Sequence, residues 1–282
     1  REAMLLNSML FSSAAWYDLS EQNLKKLEQV DESLLRQILS AHSKTPIESL
    51  YLELGCIPVR FKIMARRVNY LHYLLNLNEN ELLFKVFKAQ VNNPVKGDWI
   101  TKVKEDLEKL KLPTDFEKLK AFKKNPFKNL VKSKINILTL NYLINIKDGH
   151  SKMKNLKYSK LEIQSYLISE NIYPHLAKQM FKWRTRMPNF KMNFKNGSTD
   201  LLCPFGCQEE DRQDLILKCP VMVSHLPELT STNIDYNDLF STNTTRMKLT
   251  IELLVKAFSK REKLIEMKSN IQKILPNISI FC

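Results

Sequence analysis

The chain has 282 residues, 44% of them hydrophobic and 26% charged, with a formal net charge of +14. This hydrophobic share supports a packed core and excludes a disordered tail, and every apolar run breaks before the roughly 18 residues a membrane-spanning helix needs. Five glycines argue against tight-turned sheets and phosphate-cradling loops, and five cysteines, one isolated and one terminal, make a poor disulfide framework; a reducing compartment, nucleus or cytoplasm, follows.

In chain order the pattern is helical. Residues 4–17 are apolar and helix-compatible. Ser20 reads as the N-cap of a helix over 21–39, with Glu21 and Gln22 in its first turn and Leu24, Leu27, Val30, Leu34, Leu35 and Ile38 near the 3.6 period. Thr45-Pro46 opens a short helix that Gly55 ends. Pro58 starts a longer one, over 58–75, with Phe61, Met64, Val68, Leu71 and Leu75 on an inward face and His72 as a packed or boundary residue. A helix over 80–92 closes at Asn92-Asn93-Pro94. Asp98 then caps another, with Trp99, Val103, Leu107 and Leu110 on one side, which places a linker or hinge at 92–97.

From 125 to 147, Ile135, Ile137, Thr139 and Leu140 are compatible with a strand pair, between lysine and asparagine flanks that leave a helix open. Helices over roughly 158–169 and 174–187 follow, then an irregular tract and a long final helix over 245–274. The expected fold is mainly α. A helical bundle (1–92) precedes a basic helical connector (97–189), a small irregular cysteine knuckle (190–225) and a tail with one long helix (226–282).

Charge is concentrated. Residues 118–160 hold twelve lysines against one acid, Asp148, a balance of +11, and residues 171–199 hold six basic residues and no acid. Such a field attracts polyanions, of which nucleic acid is the commonest; the alternative is a lysine-rich solvated surface. On the 58–75 helix, Lys62, Arg66, Asn69 and Tyr73 share a face, with Arg67 beside them and Arg60 a heptad back. Four cations and an aromatic at that spacing suit a phosphate backbone as well as they suit a solvated bundle face. Lys182, Arg184 and Arg186 form a second candidate set, interleaved with Trp183, which reads as core before it reads as a base-stacking platform. Lys123 and Lys124 are further candidates.

Catalytic signatures are missing. No two aspartates are adjacent, and the chain has no phosphate loop, nucleophile elbow or His-Glu-x-x-His. Asp115-Phe-Glu117-Lys118 has only ordinary helix-surface spacing. The cysteines are more informative. Cys203-Pro-Phe-Gly-Cys207 and Cys219 outline a metal knuckle, but Asp214, Leu215 and Ile216 stand where a histidine ligand is usual. His225 could complete a Cys3His zinc set only by folding back.

Several of these segments resemble one family. The opening tract through Trp16-Tyr17, the run Tyr51-Leu-Glu-Leu-Gly-Cys-Ile-Pro-Val-Arg60, the run Met64-Ala-Arg-Arg67-Val-Asn-Tyr-Leu-His-Tyr-Leu75 and Gly97-Asp98-Trp99 look like the region after the palm of non-LTR retrotransposon reverse transcriptases. Phe181-Lys-Trp-Arg184-Thr-Arg186-Met and Cys203 to Cys219 are similar to the tract leading through that family's C-terminal cysteine–histidine knuckle. The resemblance covers roughly residues 1–225. It implies a thumb and C-terminal connector that grip primer–template duplex, template RNA or target DNA. The catalytic fingers and palm would lie upstream in the same polyprotein, and an opening without an initiator methionine fits such a fragment. The resemblance also implies one structural zinc, although Cys-x-x-x-Cys replaces Cys-x-x-Cys and the histidine position is lost. The alternative is a helical scaffold derived from a decayed mobile element, with an exposed apolar stripe on its last helix.

Overall fold

A computed structural model describes residues 1, 5–150, 153, 155–193 and 200–274. These residues are mainly helical, with an isolated antiparallel bridge between Leu202 and Glu210 and no strand. The helices in chain order are α1 (Asn7–Met9), α2 (Glu21–Leu39), α3 (Ile47–Glu53), α4 (Val59–Leu75), α5 (Leu82–Asn92), α6 (Trp99–Lys109), α7 (Phe116–Lys120) and α8 (Lys124–Asp148). They continue as α9 (Ser165–Ile168), α10 (Pro174–Arg184), α11 (Pro220–His225), α12 (Glu228–Ser231) and α13 (Thr244–Ile274). No described helix is long and apolar enough to cross a membrane.

The chain forms two compact units. The first comprises Arg1–Ile38, Leu50–Gly149 and Tyr158–Glu162; the second comprises Leu39–Ser49, His150–Lys157 and Ile163–Cys282. The first is built around α4, whose Phe61, Met64, Val68, Leu71 and Leu75 are buried as their spacing predicts. Trp99, Val103 and Leu107 of α6 and Phe127, Val131 and Ile135 of α8 complete the same core. His72 is buried, stacked on Phe127 with ring centroids 4.3 Å apart and Nε2 2.9 Å from the Phe122 carbonyl.

Three expectations change here. The segment 92–97 does not separate domains, because Phe87 before it and Trp99 after it belong to one core. It is a turn fixed by Asp98, which accepts from Val95 N at 2.9 Å and Thr101 N at 2.7 Å while Gly97 takes φ +83°. Of the helix-compatible residues 4–17, Met4 lies outside the described residues and the rest form only short helical pieces. Ser12 adopts φ 57° and breaks them into α1 and a 3-10 turn, Ser13–Ala15, while Leu6 and Leu10 bury against Leu24, Val59 and Ile63. The strand-compatible stretch is helix α8. Its buried positions Phe127, Val131, Ile135, Thr139, Leu143 and Lys147 recur every fourth residue, so packing on one face overrides the β preference of its isoleucines.

The second unit packs on α13, which buries Met247, Ile251, Leu254 and Ala257 along one side. Trp183 is interior, edge-on to Phe190 at 5.7 Å and to Phe258 at 5.9 Å. Its carbonyl accepts from Gln213 Nε2 at 3.0 Å and from the Tyr236 hydroxyl at 2.7 Å, which ties α10 to the tract on either side of α11 and α12. The helix expected over 158–169 shortens to α9, and α10 stops at Arg184, two residues before the left-handed backbone of Arg186 at φ 55°. The knuckle and the tail, expected as separate parts, belong to this one unit.

Candidate nucleic-acid face and cysteine cluster

Four of the five arginines singled out by sequence bond within the chain. Arg60 forks onto Glu28, with Nε to Oε1 at 2.8 Å and Nη2 to Oε2 at 2.9 Å, and that hydrogen bonding holds its pKa above the usual guanidinium value. Arg66 donates through Nη1 to the Leu10 carbonyl and through Nη2 to Asn7 Oδ1 at 3.2 Å. Arg67 is buried, with Nε on Asp106 Oδ2 at 2.7 Å and Nη1 on the Trp16 carbonyl at 3.0 Å. Burial pushes the Asp106 carboxyl up despite that partner. Arg184 is 5% exposed, donates to the Leu239 carbonyl at 2.6 Å and sits over the rings of Tyr166 at 5.2 Å and Phe240 at 5.1 Å. Arg67 and Arg184 are therefore interior fixings and present no guanidinium to a phosphate. Lys62, Lys182 and Arg186 are half-buried, and Arg186 lines a polar cleft with Arg212, Asp214 and Lys218.

Lysines occupy the surface instead. Lys123 stands just before α8, and Lys124, Lys128 and Lys132 follow on it at i, i+4 and i+8, all exposed. Successive members rise about 6 Å along the helix axis. No acid occurs between residues 118 and 147. Beside this row lies a groove in the same unit, walled by Asn129, Lys132, Ser133 and Asn136 of α8 and by Ser159, Lys160 and Glu162. Among the described residues Lys124, Lys128, Lys132 and Lys160 make no ion pair. Sequence reasoning reached Lys123 and Lys124 but missed Lys128, Lys132 and Lys160. The i, i+4 spacing was the available signal, and a strand reading of the segment hides it, since residues four apart share a stripe only on a helix.

In the second unit the three knuckle cysteines meet. Their Sγ atoms all lie within 4.8 Å of one another, and Cys203 Sγ and Cys219 Sγ are 3.9 Å apart. Ligands on a tetrahedron with metal–sulfur bonds of about 2.3 Å stand about 3.8 Å from each other, so the thiols have the spacing of a metal site. The local chain makes this possible. Cys203 N donates to the Glu209 carbonyl and Asp211 N to the Leu201 carbonyl, each at 2.8 Å, closing a narrow loop. Gly206 turns it at φ +79°, a conformation that costs glycine little and other residues more. Cys219 is set opposite as the residue before Pro220 at the start of α11. Burial, with Cys207 and Cys219 adjoining, pushes the Cys203 thiol up to about 12. Metal ligation would therefore displace protons here.

The loop is held from α13. Arg261 Nη2 donates to both carboxylate oxygens of Asp211, at 2.9 and 2.8 Å, with both side chains buried, and its guanidinium lies 4.7 Å from the Phe190 ring centre. Lys268 Nζ reaches the Pro204 carbonyl at 2.8 Å. His225 does not join. It is exposed at the end of α11, and the ligand group found among the described residues is Cys203, Cys207 and Cys219 alone. That corrects the Cys3His expectation: the turn of α11 carries the imidazole outward instead of back. The three cysteines can hold a metal ion.

No protein-family model, curated protein or solved structure matches this chain.

Proposed function

We propose that the chain is a non-catalytic nucleic-acid-binding protein that grips a phosphodiester backbone on the lysine face of α8. This is the part expected of the thumb and connector of a non-LTR retrotransposon reverse transcriptase, acting beside upstream fingers and palm on RNA or an RNA–DNA duplex. One structural zinc at Cys203, Cys207 and Cys219 belongs to the same reading. The observation that carries it is the exposed row Lys124, Lys128 and Lys132 in a stretch without an acid. Lysine in this setting acts as a point charge on phosphate and reads no bases, so binding follows backbone geometry more than sequence.

The test is fluorescence anisotropy with a labelled RNA–DNA duplex and with single-stranded RNA, at low and at moderate salt. Salt-sensitive binding that favours the duplex is expected. Absence of binding at low salt, or a Kd indifferent to salt, refutes the proposal, because backbone neutralisation releases counterions.

A second reading, a helical interaction scaffold, is favoured by one observation. Leu82 and Val86 of α5 are 77% and 50% exposed, an apolar face of a kind that marks interaction surfaces when contiguous. Leu249 of α13, in the stripe expected from sequence, is exposed as well. An ultracentrifuge run showing concentration-dependent self-association together with no nucleic-acid binding would favour this reading.

A further inference from the structure

The cysteine cluster offers three donors where a zinc-like ion needs four. Among the described residues the obvious candidates for a fourth are already bonded or lie outside the ligand group. Asp211, in the same loop, accepts from Arg261 on both oxygens and from Lys191 N at 2.9 Å, so both of its carboxylate oxygens are already bonded within the chain. His225 is exposed and outside the ligand group. The sides of the cluster also differ. Cys203 and Cys219 are buried and border a small cavity with the apolar side chains of Phe190, Phe205, Leu215 and Met222; its charged lining is Asp211, already bonded to Arg261, and the guanidinium groups of Arg212 and Arg261, which carry no lone pair for a metal. Cys207 is only half-buried, so solvent reaches the sulfur triangle from its side.

We propose that the metal is held by the thiolates of Cys203, Cys207 and Cys219 alone, with its fourth position open on the Cys207 side to an exogenous soft donor, a small thiol. Three protein ligands leave one exchangeable position, at which a metal that also staples the loop meets outside ligands. The sulfur-only donor set favours soft or borderline ions, and a thiol, as a further soft ligand, suits such an ion better than water does. Ligation by thiolate releases protons, so affinity rises with pH, but the coordination number does not depend on it. This inference rests on the metal reading above and not on nucleic-acid binding.

The experiment is an anaerobic cobalt(II) titration of the full chain followed by visible absorption, then addition of 2-mercaptoethanol to the loaded protein. The expected result is one cobalt per chain with tetrahedral bands, which shift and gain sulfur-to-metal charge-transfer intensity as one equivalent of mercaptoethanol binds saturably. His225→Ala and Cys282→Ser, the latter outside the described residues, leave the spectrum and its response unchanged, whereas Cys207→Ser weakens cobalt binding at least tenfold. Cobalt bound in a spectrum that mercaptoethanol does not alter means the chain closes the site itself, and the open position is wrong. A tenfold loss of affinity in His225→Ala or Cys282→Ser has the same meaning and names the closing residue. Failure of cobalt to bind at all removes the metal reading along with it.

Discussion

Replacing Lys124, Lys128 and Lys132 together by glutamine should alter the salt dependence of binding while leaving the fold intact. All three side chains are exposed and make no ion pair among the described residues, so their loss removes charge and little packing. With Lys160 across the groove, the face neutralises about four phosphates, and log K should fall with log salt at a slope of about −3.6. Raising salt from about 50 to about 200 mM then weakens binding by roughly 150-fold. The triple variant keeps one of the four charges, its slope falls to about −0.9, and the same change costs it only three- to fourfold. Anisotropy with a labelled RNA–DNA duplex measures both slopes, and urea unfolding of the two proteins confirms equal stability. A variant that keeps the parent slope would show that α8 is not the binding face, whatever the overall charge attracts.

Other substitutions separate interior from surface roles. Arg67→Ala strands Asp106 in the core and should cost about 3–5 kcal/mol of stability, read from the urea midpoint. Its salt slope, taken under folding conditions, should match the parent; a changed slope at full stability would return Arg67 to the binding surface. Trp183→Ala should cost about 3–5 kcal/mol, since its ring fills the space between Phe190 and Phe258. Arg261→Ala frees Asp211 and the cysteine loop, so cobalt affinity should fall while band positions, set by the unchanged sulfur donors, stay put. Asp98→Ala removes the cap of α6 and should cost about 1 kcal/mol at neutral pH. Slight burial opposes ionisation of Asp98, but the Thr101 and Val95 amides outweigh it and hold the carboxyl below its usual range. The cap's contribution is therefore present above the unfolded carboxylate value and is lost as pH falls through the depressed folded one. Urea curves should accordingly show the variant's deficit at pH 7 and its disappearance in acid.

The helical elements were legible where local chemistry and periodicity agreed. Ser20 accepts from Asn23 N at 3.3 Å, Asp98 caps α6, and the inward face of α4 is buried as its spacing implies. Legibility failed where tertiary packing decided. The isoleucines at 135 and 137 suit a strand locally, and the burial of Phe127, Val131 and Ile135 in the core built around α4 favours the helix. The three cysteines were visible as a group, but the direction of His225 was not, because it depends on where the short turn of α11 stops.

The inward-bonded arginines have a common physical cause. A guanidinium carries a rigid fork of donors and is weakly hydrated, so it can be buried on a carboxylate or a row of carbonyls; an ammonium is strongly hydrated and more often stays in water, the buried Lys147 beside Asp148 being an exception. The same fork that makes arginine the better phosphate ligand thus makes it the better internal clamp, and sequence cannot tell which use is made. Here the clamps dominate: Arg1 on Asp31, Arg60 on Glu28, Arg67 on Asp106, Arg184 on a carbonyl and Arg261 on Asp211. Four acids, Glu28, Asp31, Asp106 and Asp211, are taken up by these arginines, while the lysines of 118–147 have no acid in their own stretch. A stretch such as 118–147, rich in lysine and empty of acid, is where that surplus becomes a field that a polyanion can feel.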